Sequence, residues 1–175
     1  MYQVDESDRV TELADMPRSS AGAPIPLVLS DEHRLVVAYY IQETPADWDG
    51  SSAREVGPED AGEPVALVRF KFCYAHMFGP PNDEAFRGHP LASRGLHPYG
   101  AFEVTHSSWI RRLERMNAVH PYHRPEAFWK RRHIVFTFHD TTLECVCDGY
   151  DVRVSQGSIA SVVPEMVGLL EWRAG

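Results

Sequence analysis

The chain has 175 residues, 43% of them hydrophobic and 24% charged, with a formal net charge of −8. These values fit one globular domain that can bury about 70% of the surface its unfolded chain exposes, and they exclude wholesale disorder and fibrous classes. No apolar run nears the ~18 residues of a membrane span, and the opening "MYQVDESDRV" lacks the basic start and apolar middle of a signal peptide, so a cytoplasmic protein without membrane attachment is expected.

Five acids against two arginines give residues 1–24 a net −3, and they read as a polar tail closed by "PRSSAGAPIP". A single domain is expected over 25–175. Apolar runs at 27–30 and 34–42 predict two strands joined by "SDEH"; the second is apolar on both faces and belongs inside a sheet. Residues 43–63 carry seven acids against Arg54 and no periodicity, which predicts an exposed acidic loop. "PVALVRFKFCYAH" at 64–76 predicts one long strand. Val68, Phe70, Phe72 and Tyr74 lie on one face; Leu67, Arg69, Lys71 and Cys73 lie on the other, wetter one. The irregular stretch 78–100 is long enough to suggest function.

A helix should start near Ser107, with a serine cap and Trp109, Ile110, Leu113 and Met116 at helical spacing. It must end before Pro121, because proline disfavours helical backbone in the residue preceding it. A short second helix should begin at Pro125 and run through "PEAFWKRR". A third spans about 161–172, with a stripe of Val163, Met166, Val167 and Leu170. Strands in adjacent hairpins and helices late in the chain predict an α+β fold: a mainly antiparallel sheet of about five to six strands with two or three helices packed on one face. Neither GxGxxG nor GxxxxGK[ST] is present, so common nucleotide folds lose support.

"TFHDTTLECVC" at 137–147 concentrates reactive residue types. Folded as a hairpin with its turn at His139–Thr142, it sets Phe138 opposite Leu143, Phe136 opposite Cys145 and Ile134 opposite Cys147, all on one apolar face. The cysteines then read as small core residues, with Glu144 on the other face. "CVC" also lacks the CxxC spacing of a structural zinc site.

Eight of the nine histidines fall between His76 and His139, and His89, His97 and His120 each precede a proline, which places them on extended loop backbone. Loop imidazoles held by a rigid scaffold can bind or exchange protons near neutrality. The candidate binding surface therefore comprises Arg87, His89, Arg94, His97, Tyr99, His120, Tyr122, His123, His139 and Asp140. The leading expectation is a non-catalytic domain that binds an unknown small molecule or protein. Its rival is a histidine-centred hydrolase, with or without a metal, using His89, His97, His120, His123 or His139, with Asp140 or Glu144 orienting a ring. The third reading is nucleic-acid binding through residues 111–132, which carry a net +5 with interleaved aromatics. A sequence pI of about 5.5 disfavours it. The residues imply no particular cofactor or metal.

The runs "RGHPL", "RGLHPYGAFEV", "SSWI", "VHPYH" and "FTFHDTTLEC", together spanning much of residues 65–150, resemble a family of small uncharacterised bacterial proteins. The resemblance implies a bacterial, single-domain protein and brings no activity, cofactor or site residue with it.

Overall fold

The computed structural model describes residues 2–22, 25–42, 56–57, 59–61 and 63–171. Among them nine strands form two antiparallel sheets: β1 (Arg9–Glu12), β2 (Leu27–Ser30), β3 (Leu35–Tyr40), β4 (Pro64–Lys71), β5 (Ala75–Gly79), β6 (Ala101–Thr105), β7 (Arg132–Thr137), β8 (Thr142–Cys147) and β9 (Gly149–Gln156). The five-stranded sheet has the order β1-β6-β7-β8-β5 and the four-stranded sheet β2-β3-β4-β9. Helices α1 (Ser108–Asn117), α2 (Glu126–Trp129) and α3 (Val163–Leu170) complete the fold.

The fold is α+β and antiparallel, but the expected single sheet is two. Their inner faces meet in one core. Leu35, Val37, Tyr39, Ala66, Val68 and Phe70 come from one sheet; Ile134, Phe136, Leu143, Cys145 and Cys147 come from the other. The helices also take both outer sides rather than one. Trp109 and Ile110 of α1 and Phe128 of α2 pack with Phe102, Val104, Val135 and Val146 on the outside of the five-stranded sheet. Met166 of α3 packs with Val36, Ala38, Val65 and Leu67 on the outside of the other. Two-sided burial explains why β3 and β8 are buried along their whole length.

The expected strand 64–76 breaks in two. Phe72 adopts φ 46°, left-handed backbone that is unusual for an aromatic residue, and the chain passes there from β4 in one sheet to β5 in the other. The N-terminal segment is no loose tail: Tyr2, Asp8 and Met16 are buried, and β1 pairs with β6 from Arg9↔Thr105 to Glu12↔Phe102. Only Val56, Gly57, residues 59–61 and Glu63 of the acidic stretch are described; the rest of that expectation lies outside the described residues. α1 starts where expected, its Ser107 hydroxyl accepting the Ile110 N–H at 3.2 Å. Met116, Val163 and Val167 are exposed, however, so both apolar stripes are narrower than their spacing suggests. No helix among the described residues is long and apolar enough to cross a membrane.

The 137–147 hairpin keeps its predicted faces but shifts its register by two residues. Phe136 pairs with Leu143 and Ile134 with Cys145, around a tight turn closed by the Phe138 N–H on the Thr141 carbonyl at 2.8 Å. A two-residue slip preserves which face each side chain takes. All three cysteines are buried and unpaired. Burial pushes the Cys73 thiol up to about 12 and also raises Cys145, whereas the hydrogen bond with Cys145 lowers Cys147. Because all three sulfurs are shut off from solvent, iodoacetamide should leave them unmodified in native protein, and mass spectrometry should find full alkylation only after unfolding. Rapid native alkylation of Cys145 or Cys147 would contradict the shared core.

Candidate functional site

The outer face of β7 and β8, the face to which the hairpin pattern assigns Glu144, carries a buried polar network. Glu144 is its hub. Its Oε2 accepts the Tyr2 hydroxyl at 2.6 Å and His133 Nε2 at 2.8 Å, and its Oε1 lies 3.2 Å from His89 Nε2. The Leu91 N–H donates to His89 Nδ1 at 3.2 Å, which leaves that ring's proton on Nε2, toward the carboxylate. His133 Nδ1 meets the Ser107 hydroxyl at 2.9 Å, so the serine that caps α1 is also tied to the sheet. Tyr2 stacks on Trp109 with centroids 5.5 Å apart and presents its ring to the edge of His133, closing the network from above.

These groups are enclosed because residues 78–100 fold over this face and insert Phe86, Leu91 and Leu96. Thr137 and Thr142 pin the covering loop by donating to the carbonyls of His97 at 2.9 Å and Pro81 at 3.1 Å. Burial raises the Glu144 carboxyl, but the hydrogen bonds from His133, His89 and Tyr2 outweigh it and hold its pKa at about 2. Burial and the same carboxylate push the Tyr2 phenol upward.

The ten surface candidates separate into several places. His89 lies inward, 4% exposed, as a member of this network. Tyr99, His139 and Asp140 come together at the hairpin tip with Asp83, which the sequence did not single out. There the Tyr99 hydroxyl donates to Asp83 Oδ2 and sits 3.0 Å from His139 Nδ1, itself 3.1 Å from Asp83. Burial and the Asp83 carboxylate raise the Tyr99 hydroxyl to about 12. His97 packs edge-on against Phe102 and lies 3.6 Å from Glu12. Beyond the end of α1, His123 bonds Glu114 at 2.7 Å, and His120 and Tyr122 are exposed beside it. Arg87 is exposed on a separate turn, and Arg94 reaches the Glu6 carbonyl at 3.5 Å. Among the described residues no three His, Cys, Asp or Glu side chains form a set able to hold a metal ion.

A groove of about 840 Å³ lies elsewhere, at the corner where the chain twice changes sheets. It is lined by Asp31, Glu32, His33 and Arg34 of the β2–β3 turn, by Arg69, Phe70, Lys71 and Phe72, and by Asp148 between β8 and β9. The Phe72 ring is 42% exposed and stacks on His33 at 4.9 Å and 14°. The Arg131 guanidinium sits 5.0 Å from the Phe72 centroid and 4.5 Å from Tyr74, with Nη1 3.3 Å from Asp148. Arg34 and Lys71 are paired with Asp31 and Asp151, whereas Arg69 has no carboxylate partner among the described residues. Sequence reasoning missed this site because its three segments are far apart in the chain and share no motif.

Comparison with protein-family models, curated proteins and solved structures finds no match. Function is therefore argued from this geometry.

The Glu144 shift has a stability consequence. A carboxylate held at about 2 in the fold and near 4.5 when unfolded contributes fully above pH 4.5, and that contribution is lost as pH falls toward 2. A shift of this size corresponds to about 3 kcal/mol. Urea unfolding between pH 6 and 2.5 should show a shallower loss of stability for Glu144→Gln than for the parent chain; identical pH slopes would contradict the role of the carboxylate.

Proposed function

We propose that the protein is a non-catalytic binding protein whose ligand is a flat, partly apolar small molecule held in the corner groove. The observation that supports this best is Phe72, an aromatic residue that remains 42% exposed on left-handed backbone, a conformation that costs on the order of 1–3 kcal/mol. Concave sites with an apolar floor and a few convergent polar groups are where small molecules bind. The stacked pair of His33 and Phe72 gives the groove an aromatic wall, and Arg69 offers a charge for an acidic substituent.

A histidine-centred hydrolase is the second reading, favoured by the Ser107–His133–Glu144 chain of hydrogen bonds. All three groups are buried beneath Tyr2, so a substrate would have to displace that ring. Labelling of Ser107 by a fluorophosphonate would support this reading over the groove.

NMR shift mapping with a library of aromatic acids separates the surfaces. Perturbations are expected at residues 31–34, 69–72 and 148; perturbations confined to Tyr99, His139 and Asp83 would favour the hairpin tip. Phe72→Asn keeps a residue tolerant of left-handed backbone while removing the ring. It should preserve the fold and weaken binding at least about tenfold, a loss of about 1.4 kcal/mol. Unchanged affinity would remove the groove.

A further inference from the structure

β9 is the last strand of its sheet, paired with β4 on one side only. The Gly157 N–H donates to the Glu63 carbonyl at 3.2 Å, one step beyond the Pro64↔Gln156 pair. Bonded and non-bonded pairs alternate along an antiparallel ladder, so Ser155, Arg153 and Asp151 also turn their N–H and C=O groups toward β4. Tyr150, Val152 and Val154 turn theirs the other way, and no hydrogen bond meets them among the described residues. Val154, 58% exposed, adds an apolar side chain to the same edge.

Open edges invite pairing, and proteins blunt them with short strands, proline or lysine. The other edge strands of the two sheets follow that rule. β1 and β2 have four residues each, and β5 ends at Gly79 before Pro80 and Pro81. β9 runs for eight residues, GYDVRVSQ, with neither proline nor lysine.

We infer that β9 pairs antiparallel with β9 of a second copy of this chain, joining two four-stranded sheets into one continuous sheet. A two-fold axis perpendicular to the sheet keeps every residue on its own face, so the axis must pass at a residue. At Asp151 or Arg153 it would set that residue opposite itself, and like charges directly opposed destabilise a sheet. At Tyr150 or Val154 neither charge would meet an opposite one. At Val152 the axis sets Asp151 opposite Arg153 of the second copy and Arg153 opposite its Asp151, in the non-hydrogen-bonded positions where side chains lie closest. Tyr150, Val152 and Val154 then exchange all their outward N–H and C=O groups with Val154, Val152 and Tyr150 of the second copy, and Val154 is covered by the facing Tyr150. Both charged side chains are within reach of solvent: Asp151 pairs with Lys71 at the surface, and Arg153 lies 4.0 Å from Glu165. A two-fold contact of this kind closes on itself, so it yields a dimer and no fibre.

The test is sedimentation velocity of the full chain from micromolar to millimolar concentration, which should show a reversible monomer–dimer equilibrium. Hydrogen exchange of the Tyr150, Val152 and Val154 amides should slow as the dimer fills. Asp151→Arg and Arg153→Asp each set like charges across the axis, and each should raise the dissociation constant at least about tenfold. Mixing the two variants in equal amounts restores opposite charges in the mixed pair and should recover the dimer, a recovery that a folding defect in either variant would not produce. A chain that stays monomeric at every concentration would overturn the proposal and leave the edge to a strand of another protein. A dimer indifferent to both substitutions, or one in which those three amides exchange as fast as in the monomer, would overturn it by placing the contact elsewhere.

Discussion

At one corner of the molecule two stretches of chain leave one sheet for the other, and a backbone hydrogen bond joins them: the Asp148 N–H donates to the Lys71 carbonyl at 2.8 Å. The first crossing runs through Phe72, the second through Asp148. The Cys73 N–H on the His33 carbonyl and the Tyr74 N–H on Val146, both at 2.7 Å, secure the first crossing on either side. Arg131 fills the angle, its guanidinium over Phe72, Tyr74 and Phe128, contacts worth about 0.5–2 kcal/mol each when shielded from water. Because both crossings coincide, the sheets stay face to face and their inner residues form one core. The groove is the outside of the same corner, so the constraint that orders the core also shapes the binding surface.

The outer face of the five-stranded sheet follows a different logic. It mixes valines with His133, Glu144, Thr137 and Thr142, and neither water nor a second sheet covers it. Its cover is the 78–100 loop, α1 and the N-terminal segment, each tied down by a polar group of the face. An uncompensated carboxylate at Glu144 would be costly, whereas three donors make it a rigid anchor. Ser107 links that anchor to the start of α1.

The elements legible in the sequence are those with local signals. The period-two alternation of 132–147 assigned the buried face of both cysteines correctly even with the register two residues off, because such a slip leaves each face intact. The Ser107 cap was legible because its partner lies three residues away. Its second partner, His133, lies 26 residues away and carries no such signal. The break at Phe72 was hidden because the apolar alternation of 64–76 runs straight through it, and an aromatic residue is an unlikely marker of left-handed backbone. The N-terminal segment was misread through its charge. Asp8 is acidic and wholly buried, since it serves as a cap for α1. A trace of the buried face was available: Phe86, Leu91 and Leu96 in an irregular segment need something to cover.

Native-state hydrogen exchange of the Asp148 amide tests the doubled corner most directly. A closed corner requires that amide to open only with the sheets themselves, so its exchange should be as slow as that of the Val135 and Val68 amides in the centres of the two sheets. Exchange at the rate of an exposed turn would show the two crossings to be independent, and the joint between the sheets would have to lie elsewhere.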